Sequence, residues 1–262
     1  MRRYLKTLLR FWGTALASQT EYQLNLLFDL LAMGGNLAGS LFVIGLFFQG
    51  GRSLGGWTWP EALVVLGVYT MLDGVASTVL RPNLSRIVAH VQEGTMDFVL
   101  LKPIDSQFWL SARTFALGGL PEILGGLGLM GWAAAVAGAR PTLVAVGAAA
   151  LLLLASLTIL YSLWFLLATT SIWFVKTWNA TEVLRATLTA GRYPISAYPN
   201  SLRLLFTVVI PVAFLTTVPA EAILGRPSLR WLLAGGGMAL GCFALSRWFW
   251  WRALRSYTSA SS

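Results

Sequence analysis

Apolar runs and polar interruptions alternate along the chain, and the pattern predicts six membrane spans. The first covers residues 24–48 and carries Asn25, Asp29, Asn36 and Ser40 close to one helix face, so that face suits protein or water and the other lipid. Gly35 and Gly39 form a small-xxx-small pair suited to close helix packing. A Gly-rich loop at 49–56 leads to Trp57, Trp59 and Pro60, which mark an interface. The second span covers 62–80, with Asp73 well inside it. The third, 114–137, is rich in glycine and holds Glu122 after Pro121. A tight turn at 138–141 precedes an apolar run from 142 to 175. As one helix that run would reach about 50 Å, so it is expected to tilt or to project past the bilayer, with Trp164, Trp173 and Trp178 toward its inner end. A mixed stretch with turn chemistry, 176–201, follows. The fifth span starts near Leu202. Pro211 is expected to interrupt it and Pro219 to end or bend it, which makes 211–228 a broken or re-entrant element. The last span, 231–249, closes on an interfacial anchor of Trp248, Trp250, Trp251 and Tyr257 with Arg247, Arg252 and Arg255.

Ahead of the first span, Tyr4, Leu5, Leu8, Leu9 and Trp12 fall on one helix face, and Arg2, Arg3, Lys6 and Arg10 cover the rest. Residues 1–23 are therefore expected to form a basic amphipathic helix lying in the interface. No cleavage pattern follows a short apolar core, so the first span is expected to be retained. The formal charge is +9, but the basic residues sit between spans and form no clustered face for nucleic acid. Of the 19 Lys and Arg, only Arg52, Arg140, Arg226 and Arg230 fall on the second side of the six-span arrangement. The positive-inside bias then puts both termini, and residues 81–113, in the cytoplasm.

The chemistry that is absent narrows the function. With one cysteine, Cys242, and one histidine, His90, the chain has neither an intrachain disulfide nor the residues of a Cys/His metal site. No GxxxxGK[ST], HExxH or GxSxG pattern occurs, so the chain is not expected to be an enzyme or to bind a nucleotide itself. Asp29, Asp73 and Glu122, with Asn36, read either as a polar path or as packing contacts. No Lys or Arg inside a span offers itself as their partner, which argues against an ion-coupled transporter.

The interval 93–113, EGTMDFVLLKPIDSQFWLSAR, is neither uniformly apolar nor flexible. Thr95 can cap a short helix that Pro103 ends, and Asp105 or Ser106 can cap a second one carrying Phe108, Trp109 and Leu110. Two short helices around a turn at the membrane face make either a rigid knob or a plain connector.

GTMDFVLLKPIDSQF resembles the permeases of bacterial type-2 ATP-binding-cassette exporters. The basic amphipathic start, the six spans, and the later RYP, YP, IPVAF and VPA elements in that order extend the resemblance over almost the whole chain. It implies an all-α integral membrane protein, with 1–262 a single permease domain in the bacterial plasma (inner) membrane. It implies a second permease, identical or homologous, and separate cytoplasmic ATPase subunits that carry the ATP and Mg, so that this chain binds no cofactor. Membrane lipids, and no nucleic acid, complete the expected partners. Carried over, 81–113 is the coupling loop, with Asp97, Phe98, Lys102, Pro103, Ile104, Asp105 and Phe108 meeting the ATPase. Pro211 and Pro219 are hinges of re-entrant helices, and the N-terminal helix is the interfacial connector. The apolar spans suit a lipid, glycolipid or drug-like substrate. Two other classes fit the same composition: a secondary transporter or channel without an ATPase, and a membrane scaffold or assembly factor.

Overall fold

The computed structural model describes residues 2–19, 23–51, 53–174 and 184–257. Arg52, Lys176 and Trp178, and the side chains of Arg2, Arg3, Leu5 and Asn25, lie outside what is described. The described residues form helices and turns. They comprise α1 (Arg2–Gln19), α2 (Gln23–Phe47), α3 (Trp59–Val75), α4 (Arg81–Gln92), α5 (Met96–Leu100), α6 (Ser106–Ala112), α7 (Leu120–Val136), α8 (Leu143–Thr169), α9 (Asn200–Leu204), α10 (Val212–Leu215), α11 (Thr217–Ile223) and α12 (Leu229–Leu254). Among the described residues, five stretches are long and apolar enough to cross a bilayer: Leu27–Phe47, Trp59–Gln92, Leu117–Val136, Leu143–Ile172 and Leu229–Leu254. A sixth candidate is the pair Asn200–Val209 and Val212–Ile223, bent by 69°.

The helix α3 is the centre of the bundle. Glu61 reaches back to the Thr58 N–H at 2.9 Å and starts it, and residues 62–68 are buried on every side. Such a helix carries no amphipathic stripe because it has no wet face. Its neighbour α7 comes unusually close. A Cβ on Gly126 would stand 2.4 Å from the Met71 nitrogen, and one on Gly74 2.6 Å from the Ile123 nitrogen. The glycine richness of the third span thus serves backbone contact with the second. Gly35 and Gly39 have nothing within 4 Å of where a Cβ would be. The close packing expected on that face of α2 is not made within the chain.

The second span does not stop at residue 80. A π-helical turn, Ala76–Leu80, carries it into α4, and the combined helix Trp59–Gln92 runs 34 residues. Pro82 explains the turn: its ring excludes the carbonyl of Thr78 from the helical ladder. That carbonyl accepts instead from the Ala116 N–H at 2.9 Å, and the Val79 carbonyl accepts from Asn83 Nδ2 at 2.6 Å. The loop expected from 81 therefore begins only after Gln92. The fourth run also ends earlier than its apolarity suggests, since α8 closes at Thr169 in a 3-10 turn, Thr170–Ile172.

Two ends of the bundle are marked by contacts. Trp59 meets Trp132 at 6.4 Å, and Glu61 pairs with Arg226, so the start of α3, the end of α7 and the turn before α12 share one end. The turn at Gly55 presses on Ser196 and Ala197 at that same end. At the opposite end α1, α5, α6 and the last turns of α12 converge. The bent pair therefore leaves from and returns to the Trp59 end, as a re-entrant hairpin rather than a crossing. Residues 184–199 run from beside Asp73 to the Trp59 end, ahead of the expected start near Leu202. Arg203 sits at the Trp59 end, donating to the Ser196 carbonyl at 2.7 Å, and Arg192 lies midway; both leave the group of basic residues assigned to the other side.

Pro211 stands at the hairpin's break, as its missing N–H requires. Pro219 does not end a helix. It sits in the first turn of α11, where no intrahelical N–H bond is lost, and the break falls at Thr216 (φ −127°, ψ −52°) because the ring at 219 excludes the Leu215 carbonyl.

Candidate functional site

The interval 93–113 folds as a knob, and its base is tied down by residues from four distant elements. Asp105 caps α6, its Oδ1 accepting from the Phe108 N–H at 2.9 Å. Both carboxylate oxygens also accept from Arg247 of α12, Nη1 to Oδ1 at 2.9 Å and Nη2 to Oδ2. Arg247 Nη1 donates to Gln107 Oε1 at 3.1 Å, Gln107 Nε2 donates to the Tyr161 hydroxyl at 3.0 Å, and Ser111 Oγ lies 2.9 Å from that hydroxyl. Trp250 Nε1 donates to Ser106 Oγ at 3.0 Å. Asn83 of α4 clamps Thr114 reciprocally, with both bonds at 2.7 Å. From α1, Tyr4 meets Phe108 edge-on at 4.8 Å, and Trp12 donates to the Ala112 carbonyl at 3.1 Å. Thr95 stands at the N-cap of α5, but its hydroxyl pairs with His90 Nδ1 at 2.7 Å and not with the helix.

Asp105 is shaped by competing influences. Burial raises its pKa, while the Arg247 hydrogen bonds, the Phe108 N–H, the Arg247 charge and the Gln107 N–H lower it. Together they outweigh the burial and hold the carboxyl below the usual aspartate range.

The seven residues that the resemblance carried to the coupling role divide in two. Phe98 (69% exposed), Lys102 and Pro103 project from the tip, beside Leu101 at 79% exposed. Beneath them Met96 and Val99 are buried and fix the short helix to the core. Lys102 Nζ lies 5.4 Å from the Trp109 ring centroid. Ile104, Asp105 and Phe108 turn inward and belong to the base, and Asp97 is half-buried. The exposed tip has one apolar crown, and its chemistry can bury against a partner surface without unfolding the knob.

The polar positions inside the spans make a second centre. Asp73 pairs with Arg81, Arg81 Nη1 donates to Ser77 Oγ at 3.1 Å, and Ser77 Oγ donates to Glu122 Oε2 at 3.1 Å. Arg192 lies over the Tyr69 ring at 5.0 Å and donates to Ser40 Oγ at 3.2 Å. The expectation that no basic residue inside a span partners the acids is therefore wrong for Arg81, which pairs with Asp73; Arg192 lines the same cavity and bonds to Ser40. The π-helical turn hid Arg81. Eight residues along an α-helix leave two side chains about 80° apart. The extra residue of the π turn brings Arg81 back over Asp73. Asn36 lines a small cavity with Asp73, Glu122 and Arg192, while Asp29 stands apart against Gly118 at the start of α7. Cavities of about 30 and 20 Å³ flank Asp73 and Tyr69. They have room for a water or two each and none for a lipid. The cluster is a closed polar joint between α2, α3, α7 and the 184–192 segment.

Sequence reasoning missed Gln107, Tyr161, Asn83 and the base role of Arg247 and Trp250, the last two being read as an interfacial anchor. The one available signal was a charged residue inside the last apolar run, which calls for a partner but does not name it. The family model described as ABC-2 family transporter protein matches residues 35–261, from the first span to the chain's last residues. No curated protein and no solved structure matches the chain.

Proposed function

The chain belongs to the ABC-2 transporter family and is a membrane permease subunit of that class, and on that premise we propose that it exports a hydrophobic or amphipathic substrate using ATPase subunits that dock on the knob. The observation that carries the reading is the contrast within residues 93–113: an exposed crown of Phe98, Leu101, Lys102 and Pro103 on a base held by α1, α4, α8 and α12. A loop that only returned the chain to the bilayer would need no such base. Force applied at the crown passes through the Asp105–Arg247 pair to α12 and through Asn83 to the helix that carries Asp73 and Arg81. The knob, α1 and the end of α12 lie in the cytoplasm, in keeping with the basic residues at that end. ATP and Mg belong to the partner. A second permease, identical or homologous, completes the path, and the thinly covered α2, with Gly35 and Gly39 open, supports a neighbour there. The apolar surfaces and the closed polar joint favour a lipid, glycolipid or drug-like cargo released on the outer side of a bacterial plasma membrane.

The test is substitution at the crown. Phe98→Ser with Leu101→Ser leaves the base intact and should abolish co-purification with the ATPase, or stimulation of its hydrolysis, at unchanged thermal stability. Wild-type stimulation by the double variant would remove the coupling role.

A further inference from the structure

A cavity of about 430 Å³ opens at the base of the knob, between α1, α6, α8 and α12. Tyr4, Phe108, Tyr161 and Phe243 form its aromatic wall, and Arg247, Gln107, Ser111 and the Asp105 carboxylate its polar side. It is far larger than the water-sized cavities of the polar joint. Its depth is set by α12, which begins at the Trp59 end. Arg247 stands about 27 Å along that helix from Leu229. A hydrocarbon core is about 30 Å thick, so the guanidinium lies at headgroup level at the opposite boundary. Phe243 is 44% exposed and continues into the outward face of α12, where Leu240, Leu245 and Trp248 are exposed too. The cavity thus opens onto the surface that meets acyl chains.

The guanidinium has five N–H donors. Among the described residues, Asp105 takes two of them end-on and Gln107 a third. The side-on edge, made by Nε–H and the second N–H of Nη2, keeps the fork geometry that holds two phosphate oxygens. Exposed Lys6, Arg10, Arg252 and Arg255 sit at the same end and add positive potential. We propose that this cavity binds a glycerophospholipid of the adjoining leaflet, its phosphate on the side-on edge of Arg247 and one acyl chain along Phe243. The lipid fills the joint through which α1, α6 and α12 are held together, so it stiffens the base of the knob. This site rests on the chain's place in a membrane and not on ATPase docking.

The purified full-length chain, delipidated in detergent, is loaded with phosphatidylglycerol and the retained lipid counted by native mass spectrometry. One phosphatidylglycerol per chain is expected, and diacylglycerol of the same chains should be held about tenfold less, the loss of one charge-assisted pair. Arg247→Lys keeps the charge but lacks the fork, and Phe243→Trp fills the mouth without touching a polar group. Each should lower retention about tenfold. Millimolar inorganic phosphate should not displace the lipid. Equal retention of diacylglycerol overturns the proposal, as does displacement by inorganic phosphate. Wild-type retention by Phe243→Trp overturns it as well, and that variant decides alone if Arg247→Lys loosens the base.

Discussion

Replacing Asp105 tests the base of the knob. The side chain does two jobs: it caps α6 through the Phe108 N–H, and it pairs with Arg247. Losing an N-cap costs about 1 kcal/mol. The ion pair is partly wet, with Asp105 23% and Arg247 36% exposed, so the solvent-screened range of about 1 kcal/mol applies rather than that of a buried pair. Asp105→Ala should therefore cost the knob about 2 kcal/mol, and Asp105→Asn, which keeps a capping oxygen, about 1 kcal/mol. Hydrogen exchange at the Phe108 amide reads this locally. Exchange should quicken about thirtyfold in the alanine variant and about fivefold in the asparagine variant, with α3 amides unchanged. Acid should act the same way. The folded pKa lies below the ordinary aspartate value, so the carboxylate's contribution is present above about pH 3.9 and fades as pH falls through the lower folded pKa. Wild-type protection of the Phe108 amide in Asp105→Ala would refute the base as drawn.

Two further substitutions probe the bundle. Gly126→Ala puts a methyl against the Met71 backbone and should destabilise the fold by about 1–3 kcal/mol, whereas Gly128→Ala, with nothing within 4 Å, should be neutral or slightly stabilising by thermal unfolding. Asp73→Ala leaves Arg81 with Ser77 as its hydrogen-bond partner among the described residues and should cost about 2–3 kcal/mol, while adding Arg81→Leu should recover much of it; no recovery in the double variant would deny the pairing.

Much of the architecture was legible in apolar run length. The places of α2, α3, α7, α8 and α12 follow from it, and the break at Pro211 follows from the missing N–H. Capping chemistry marked the second helix of the knob, where Asp105, one of the two candidates, takes the cap, while Thr95 stands at the first helix's N-cap but bonds to His90. What stayed hidden depends on pairings across long separations. Nothing local joins Asp105 to Arg247, or Gln107 to Tyr161. A charged residue before a proline, Arg81, reads as the start of a loop, and only the π-helical turn reveals it as the partner of Asp73. Residues 184–199 carry too many turn signals to read as part of a span, and their contacts at Ser40 and Gly55 alone show that they run up the bundle to the Trp59 end. At the coupling segment, residue type could not separate the exposed crown from the inward base.

Cross-linking from the crown tests the central claim most directly. Cys242 is the sole cysteine, so Cys242→Ala gives a clean background. Leu101→Cys lies on the crown at 79% exposed, and Leu143→Cys lies at the Trp59 end at 91% exposed. In membranes containing the cognate ATPase subunits, a maleimide–benzophenone on position 101 should capture the ATPase and one on position 143 should not. Capture from position 143, or none from position 101 in a complex that still hydrolyses ATP, would contradict docking at the knob.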